Sequence, residues 1–451
     1  MNIIVIVADS LRTDHLGSYG ASVRTPNIDT LAGDAAVFEQ AYSENLTTVP
    51  CRAAWWTGKY LFAQRGWQPF DHDDILLAEL LSSRGYASAL ITDNYQLRRP
   101  SYNFSRGFDT SSFIRGQEYD PWVVHDSPDV DIKQFHRLRG DGSDAVWKPR
   151  FIQYLKNATR FGTEADHCLV RTITEAERWL EQIIETQKDR LFLWVDSFSP
   201  HEPWDPPSPF REMYDPGYTG KTLIDPVPGP VEGYMTGPEL NHTKCLYAGT
   251  VSFVDKWIGV LLNCLRRTGI YDNSLIMLTS DHGAPLGEHG YIRKAAPNCY
   301  DELVHIPWII RHPGGLGRGA RIPGFVQPPD LMPTILDAVD IDSENTGGGW
   351  PNFEQRGTKL DLTGKSLIPS LSETGDSPRD FAVSAYHGKQ WAIRTDAWTY
   401  LWNIEKDRPS ELFHRQTDPE ELHNVIDTRR DVAAAMENRL KDFAEQVRVI
   451  G

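Results

Sequence analysis

The chain has 451 residues, of which 40% are hydrophobic, and it carries a formal net charge of −16. This length suits two to three domains or one large domain with an appendage, and the apolar fraction is enough for a substantial core. The negative charge argues against binding to nucleic acid or to an anionic membrane, so neither is expected as a partner. An anionic substrate would need a local positive site within this acidic protein.

Five cysteines are scattered along the chain without close pairing, namely Cys51, Cys168, Cys245, Cys264 and Cys299. An odd, unpaired set suits a reducing compartment better than a disulfide framework. The chain enters an apolar segment directly after Met1, without the pattern of a signal peptide, and no run approaches membrane-spanning length. The sequence therefore predicts a cytoplasmic protein. It leaves the oligomeric state open, including a homo-oligomer.

Apolar runs alternate with segments of helical spacing over most of the chain. Buried strands are predicted at residues 3–8, 87–91, 191–195, 274–279 and 304–311. The last of these runs contains a proline, which cannot donate a ladder hydrogen bond, so its strand is expected near a sheet edge. Helices are predicted at residues 28–34, 75–84, 164–186, 240–268 and 330–339. This alternation predicts an α/β fold with a mostly parallel sheet and helices on both faces.

The pattern changes in the last fifth of the chain. Short strands in meander spacing are predicted at residues 381–385, 390–394 and 398–402, followed by a helix at 431–447. We therefore expect a main domain over residues 1–375 and a C-terminal subdomain over 376–451, built from a small antiparallel sheet and a helix. Residues 119–161 are aromatic and weakly periodic, which indicates an insertion over the active face.

Polar side chains follow the predicted strands at the points where the strands end. Asp9 follows the first strand, residues 92–95 follow the second, His201 comes shortly after the third, and Asp281 and His282 follow the fourth. In α/β proteins, ligands bind at the carboxyl ends of the strands. Each of these residues could instead be a helix cap or a core histidine, but their shared position makes that joint coincidence improbable.

A further polar element is the stretch at residues 47–58, which reads as a loop entering a helix. Pro50 suits the first helical turn, and the free N–H groups of a helix start favour an anion. The hydroxyl of Thr48 and the guanidinium of Arg52, four residues later, could then act on one tetrahedral oxyanion. The alternative is an ordinary helix cap without chemistry. With Asp9, Asp281 and His282, Thr48 forms a plausible site for a divalent metal.

Together these motifs resemble the sulfatase branch of the alkaline-phosphatase superfamily, along nearly the whole chain. The resemblance rests on Asp-x-Leu-Arg-x-Asp-x-Leu-Gly at 9–17, the nucleophile signature at 48–58 and Pro-His-x-Pro-Trp at 200–204. It rests also on Ser-Asp-His-Gly with a later Gly-x-His-Gly and Lys at 280–294, and on the acidic run at 411–424. It implies an alkaline-phosphatase-like fold and a metal-dependent ester hydrolase.

The departures from the family pattern concern the reacting group. Family sulfatases carry Cys or Ser, oxidised to formylglycine, where this chain has Thr48, and Cys51 lies in the wrong register to replace it. Ser10 stands where a second Asp is usual, and Asp93 and Tyr95 stand about where a Lys and a His are usual. A Thr nucleophile with an Asp-His pair is similar to phosphoglycerol and phosphoethanolamine transferases of the superfamily. The nearer resemblance is to soluble phosphonate monoester and phosphodiester hydrolases.

The resemblance, read with the chemistry of these residues, implies a role for each residue of the candidate site. Thr48 would be the nucleophile, Arg52 and Lys294 would hold the oxyanion, and His201 would protonate the leaving group or bind its bridging oxygen. The metal ligands would be Asp9, Thr48, Asp281 and His282. The substrate contacts would be Ser10, Asn94, Tyr95 and His289. One divalent ion is expected, with Mn²⁺ or Zn²⁺ favoured by the histidine and Ca²⁺ as a further candidate.

Three functions stay open at this point. The favoured one is hydrolysis of a small anionic ester, a phosphodiester or a phosphonate monoester, through Thr48. The second is a sulfatase that works without formylglycine. The third is a non-catalytic member that binds an anion or an ester.

Overall fold

The computed structural model describes residues 1–125, 132–294, 299–343, 360–372, 377–405 and 408–450. Within these ranges the strands are β1 (Asn2–Ala8), β2 (Ala36–Ala41), β3 (Ala87–Thr92), β4 (Thr110–Phe113), β5 (Leu191–Ser197), β6 (Gly229–Pro230), β7 (Ser274–Thr279), β8 (Tyr291–Ile292), β9 (Trp308–Arg311), β10 (Arg321–Val326), β11 (Ala382–Tyr386), β12 (Gln390–Arg394), β13 (Trp398–Asn403) and β14 (Glu411–His414). The α-helices are α1 (Pro26–Gly33), α2 (Thr48–Thr57), α3 (Leu77–Ser83), α4 (Asp144–Ala158), α5 (Cys168–Ile183), α6 (Gly237–Arg267), α7 (Asp301–Val304), α8 (Leu331–Ala338) and α9 (Arg430–Ile450).

Eight strands form one mixed, mostly parallel sheet in the order β10-β2-β9-β7-β1-β5-β3-β4. Parallel pairing joins β7, β1, β5, β3 and β4, so the carboxyl ends of these strands meet at one edge. Only β9 runs antiparallel, between β2 and β7. The edge position expected for this segment is therefore wrong. Pro307 precedes the first residue of β9 and removes no hydrogen bond from its ladder.

The two faces of the sheet are both buried, as the continuous apolar strands predict. In β1, Ile4 and Ile6 pack into one core cluster, and Ile3 and Val5 pack into a second cluster on the other face. The first cluster is completed by α1, α5 and α6, and the second by α2, α3 and α8. Side chains that alternate along a strand point to opposite faces, so one apolar run serves two helical layers. The predicted α/β architecture is confirmed.

Helix α6 is long and apolar enough to cross a membrane by composition alone. In the structure, 78% of its most apolar window is buried inside the protein, as in the core helix of a globular fold.

The C-terminal strands form the expected small antiparallel sheet, in the order β11-β12-β13-β14, and α9 packs on it through Met436 and Leu440. Strand β11 also contacts the segment between β2 and α2, because the Leu46 N–H donates to the Ala385 carbonyl at 2.7 Å. This contact holds the segment that leads into α2. The boundary expected near residue 375 stays a prediction.

The same segment carries a buried carboxyl group, Glu44, which is 0% exposed. Its two oxygens accept the N–H groups of Leu61 and Phe62 at 3.3 and 3.2 Å. Burial raises the pKa of Glu44 from 4.5 to about 8. The folded protein therefore keeps a proton that the unfolded chain releases near pH 4.5. The protonated Glu44 contributes to the free energy of unfolding at low pH, and this contribution is lost as the pH rises through about 8.

We expect the Glu44→Gln variant, which cannot ionise, to lose less stability than the wild type as the pH rises from 5 to 9. Melting temperatures of both proteins across this range measure the effect. The melting temperature of the variant relative to that of the wild type should rise by several degrees between pH 5 and pH 9. A difference that the amide causes equally at every pH does not affect this comparison. Parallel pH profiles would contradict the assignment.

Candidate active site

Three aspartates meet at the carboxyl ends of β1, β5 and β7. Asp9 follows β1, Asp196 is the penultimate residue of β5, and Asp281 lies two residues beyond β7. All three side chains are 0% exposed. The pairing of Val7 with Asp196 brings β1 and β5 to this edge in register. Asp196 was missed by the sequence analysis, which took His201 as the functional residue after this strand.

The guanidinium of Arg52 lies among these carboxylates. Its Nε donates to Asp196 Oδ2 at 2.8 Å, and its Nη1 donates to Asp281 Oδ2 at 2.6 Å and to the Thr48 carbonyl at 2.9 Å. Its Nη2 donates to Asp9 Oδ2 at 3.2 Å and to Asp196 Oδ1 at 2.7 Å. A guanidinium has five N–H groups, so all are used. The expected contact between Arg52 and a substrate oxyanion is therefore not the arrangement that this structure shows.

His282 completes a candidate metal centre with two of the aspartates. Ligand atoms of Asp9, Asp281 and His282 all lie within 4.8 Å of one another. The Nδ1 of His282 lies 2.8 Å from the Gly283 carbonyl, which can only accept, so the proton of the neutral ring is on Nδ1. Its Nε2 is buried and has no hydrogen-bond partner among the described residues, and it lies 3.5 Å from Asp281 Oδ2 and 3.9 Å from Asp9 Oδ1. This unpartnered lone pair beside two carboxylates fits a metal ion.

Electrostatics favour a cation at the same point. Burial, together with the neighbouring charge of Asp281, raises the pKa of Asp9 well above its usual range. Burial lowers the pKa of His282 to about 4, which keeps its ring neutral and able to bind a metal. With all three aspartates ionised, one arginine leaves two negative charges, which a divalent ion would balance. Two carboxylates with an imidazole suit Mn²⁺ or Zn²⁺, and the identity of the ion stays a prediction.

Ser10 and Asn94, predicted as substrate contacts, lie against the candidate metal ligands. The Ser10 hydroxyl donates to Asp9 Oδ1 at 2.9 Å and lies 3.3 Å from His282 Nδ1, and its N–H donates to Asp281 Oδ1 at 3.1 Å. Ser10 has φ 65°, a left-handed conformation that is uncommon for serine. Asn94 Nδ2 donates to Asp9 Oδ2 at 3.1 Å. These contacts orient the ligands, a role that commonly tunes a metal site.

Thr48 is the first residue of α2, as the helix-start pattern predicts, and is 3% exposed. It lines a cavity of about 410 Å³ together with His201 and Lys294. The cavity wall also carries the aromatic side chains of Trp67, Tyr119, Trp147, Phe198 and Tyr386 and the charged side chains of Arg99, Glu118, Arg150, Glu202 and Arg293. The expected nucleophile, proton donor and cation therefore share one cavity, and coordination of the metal by Thr48 stays a prediction.

His201 is held in a tautomer that the sequence analysis did not anticipate. Its Nδ1 lies 2.7 Å from the Glu202 carbonyl, so the proton of the neutral ring is on Nδ1 and Nε2 carries a lone pair. Burial, followed by the charge of Lys294, lowers the pKa of His201 well below its usual range. The resting ring is thus a proton acceptor at Nε2, and the expected role of His201, to protonate the leaving group or bind its bridging oxygen, stays a prediction.

Lys294 and three residues that the sequence analysis did not assign to the site form a charged network beside His201. Lys294 Nζ lies 3.0 Å from both Glu202 oxygens, and Arg293 Nε donates to Glu202 Oε1 at 2.6 Å. Arg293 Nη1 also donates to Asp225 Oδ1 at 2.5 Å. Burial alone would raise the pKa of Glu202, but these cations hold it well below its usual range. The network fixes Lys294 at the cavity wall.

Two predicted substrate contacts lie elsewhere. Both ring nitrogens of His289 bind protein groups, Nδ1 at 2.8 Å from Glu302 Oε1 and Nε2 at 3.0 Å from the Glu421 carbonyl. His289 lines a separate cavity. The ring of Tyr95 packs against that of Tyr119, with 5.1 Å between the ring centroids, and its neighbour Gln96 lines the active cavity. The role of His289 and Tyr95 as substrate contacts stays a prediction.

We expect Mn²⁺ or Zn²⁺ to raise the melting temperature of metal-depleted protein, since an ion that binds only the folded state stabilises it by mass action. The His282→Ala variant should lose most of this shift, because it removes one of the three ligand groups of this cluster. The matched control is His289→Ala, which removes a histidine outside the cluster and should keep the shift. If the metal raised the melting temperatures of both variants equally, the assignment of His282 as a metal ligand would be wrong.

Comparison with known proteins agrees with this arrangement. The family model described as Sulfatase matches residues 1–341, which is more than half of the chain. The chain is 25% identical over 493 residues to an N-acetylglucosamine-6-O-sulfatase of Bacteroides thetaiotaomicron, covering 94% of this chain and 82% of that protein.

Solved structures share the fold. The phosphonate monoester hydrolase of Agrobacterium radiobacter aligns with a TM-score of 0.74 at 21% identity, over 99% of this chain and 95% of that one. The phosphonate monoester hydrolase of Silicibacter pomeroyi aligns with a TM-score of 0.73 at 24% identity, over 100% and 96%. By the family match, supported by this fold, the chain belongs to the sulfatase family of the alkaline-phosphatase-like superfamily and is a hydrolase of ester bonds.

Proposed function

We propose that this protein is a metal-dependent hydrolase that cleaves a phosphodiester or a phosphonate monoester through the hydroxyl of Thr48. The observation that carries the proposal is the position of Thr48. It begins α2, lines the cavity, and its carbonyl binds the same Arg52 Nη1 that binds Asp281 of the candidate metal centre. A hydroxyl at a helix start has free N–H groups beside it that can stabilise an oxyanion.

Asp9, Asp281 and His282 would hold the ion, which when bound lowers the pKa of a coordinated hydroxyl and polarises an ester oxygen. The neutral His201 offers Nε2 as a proton acceptor in the same cavity. Lys294 contributes positive charge at the wall, where negative charge develops on the ester oxygens. Arg52 acts indirectly, by neutralising the aspartates and fixing the start of α2.

The choice between phosphorus and sulfur esters rests on how the covalent intermediate is released. A formylglycine hydrate can release sulfate by re-forming its aldehyde, and a Thr–sulfate ester has no such route. Water can attack a Thr–phosphate or Thr–phosphonate ester at phosphorus, which releases the hydroxyl again. A threonine nucleophile therefore favours a phosphorus ester. The phosphonate monoester hydrolases that share this fold are compatible with that choice.

A sulfatase that works without formylglycine is the second candidate, because the similar protein from B. thetaiotaomicron is a sulfatase by name. We further propose that the protein acts in the cytoplasm on a small anionic ester. All five cysteines are free in the structure, which suits a reducing compartment. Assembly into a homo-oligomer stays a prediction.

We expect Thr48→Ala to abolish turnover while the protein stays folded, because a helix-start residue is typically worth only about 1 kcal/mol of stability. Losing a nucleophile from a cooperating set costs several orders of magnitude in rate. The matched control is Thr48→Ser, which keeps the hydroxyl and should keep measurable activity. Steady-state kinetics with melting curves separate the two effects, and wild-type activity in Thr48→Ala would refute the nucleophile.

We expect kcat/KM to fall in the order phosphodiester or phosphonate monoester, then phosphate monoester, then sulfate ester. The first two carry one negative charge, whereas the phosphate monoester dianion carries more than this site balances well. A panel of p-nitrophenyl esters measures the order, since kcat/KM reports binding of the transition state. Mass spectrometry should show Thr48 and Cys51 unmodified. Fastest turnover of the sulfate ester by such protein would establish the sulfatase alternative, and turnover of none would favour a non-catalytic binding role.

A further inference from the structure

One wall of the active cavity presents a guanidinium between aromatic rings. Trp147 and Arg150 lie about one turn apart on α4, and both line the cavity. The guanidinium carbon of Arg150 lies 4.9 Å from the ring centroid of Trp147 and 4.5 Å from that of Tyr119. We call Tyr119, Trp147 and Arg150 the arginine–aromatic wall. It belongs to the insertion that the sequence places over the active face, and none of its residues has a role in the mechanism above.

Among the described residues, no carboxylate forms an ion pair with the guanidinium of this wall. Arg293 and Lys294 at the same cavity form ion pairs with Glu202. In the described parts of the chain, no carboxylate oxygen lies within 4.0 Å of the Arg150 guanidinium. Glu118 also lines the cavity, and burial raises its pKa to about 8, although the charges of Arg293 and Arg150 lower it. Arg150 therefore keeps a net positive charge that faces the cavity.

A second cation, Arg99, lines the cavity at its exposed side. Its Nη1 donates to the Tyr102 hydroxyl at 3.4 Å, a neutral partner that leaves its charge in place. Trp67, 43% exposed, adds an aromatic surface to the cavity wall. The net charge of the protein is −16, yet two cations at one cavity have no carboxylate partner in the part of the chain that the structure describes, and they form a local positive region there.

We propose that the arginine–aromatic wall binds a second acidic group, carried by the leaving group of the substrate. The leaving group of the preferred ester is then a planar ring that bears a carboxylate, sulfate or phosphate. This inference rests on the proposed function, since it assigns the far end of the same ester. The aromatic faces fit a ring, and a guanidinium fork fits an oxyanion with two parallel hydrogen bonds. The reacting ester group lies toward Thr48, and the second charge lies toward Arg150.

The test compares two methylphosphonate esters, one of 4-hydroxybenzoate and one of 4-hydroxybenzamide, which differ in one negative charge. We expect the wild type to show a higher kcat/KM for the carboxylate ester, by about tenfold, as for a single charge-assisted contact. Arg150→Gln should remove this preference while leaving kcat/KM for the amide ester within about twofold. An ester of 4-hydroxybenzenesulfonate in the same series shows whether a tetrahedral anion is preferred to the planar one.

The matched control is Lys148→Gln, which removes the same charge from an exposed position two residues away on α4, on a different face of the helix. It should keep the preference, and melting curves should show both variants folded. A preference that survives in Arg150→Gln, or that is lost equally in Lys148→Gln, would overturn the proposal.

Calorimetric binding separates this inference from the proposed function. The probes are 4-carboxyphenylphosphonate and 4-carbamoylphenylphosphonate, whose carbon–phosphorus bond is not an ester bond. One outcome is that no ester is turned over, but the wild type binds the carboxylate probe more tightly than the carbamoyl probe and Arg150→Gln does not. In that case the proposed function fails and the subsite stands. If the esters are hydrolysed and neither probe nor ester shows an Arg150-dependent preference, the subsite fails alone.

Discussion

The interaction on which the site depends is the buried guanidinium of Arg52 among Asp9, Asp196 and Asp281. It joins the carboxyl ends of three strands to the first turn of α2, and none of these four side chains is exposed. Burying one charge without partners would cost several kcal/mol, and a fully hydrogen-bonded set offsets that cost. The arginine neutralises one of three carboxylates. The remaining two negative charges give the metal centre its attraction for a divalent ion.

This constraint explains which parts of the site the sequence predicts. Asp9, Asp281 and His282 directly follow apolar runs, so the ends of the strands identify them. Asp196 also follows an apolar run. The Pro-His-x-Pro-Trp motif begins four residues later, however, and the sequence analysis took its histidine, His201, as the functional residue. The role of Arg52 cannot be read from its spacing to Thr48, because its partners come from strands 43 to 229 residues distant. The contacts of His289 are equally hidden in the sequence, since one ring nitrogen binds Glu302 and the other binds the Glu421 carbonyl, which is 132 residues distant.

The secondary-structure elements also fall into two groups, those that the sequence predicts and those that it does not. Long apolar strands and long helices are predicted within a few residues, because burial on both faces leaves a strong pattern. Strands β2, β4, β10 and β14 are not predicted. β4 and β14 have only four residues each. β4 is half-exposed and lies at one edge of the sheet, and β10 lies at the other edge, with two of its six residues exposed. The pairing of Leu46 with β11 is likewise a tertiary contact, invisible in either segment alone.

The replacement of an aspartate by Ser10 links the metal centre to the charge of the substrate. Ser10 keeps two contacts to the ligands through its hydroxyl and its N–H, yet adds no charge. With a divalent ion the cluster would be neutral, and an aspartate at this position would leave it negative. Lys294 and Arg293 are compensated by Glu202 and Asp225, so near the reaction centre positive potential comes chiefly from the ion and the start of α2. Such a centre suits an ester with one negative charge, and any further charge on the substrate is better placed at the far wall of the cavity, where Arg150 and Arg99 have no carboxylate partners among the described residues.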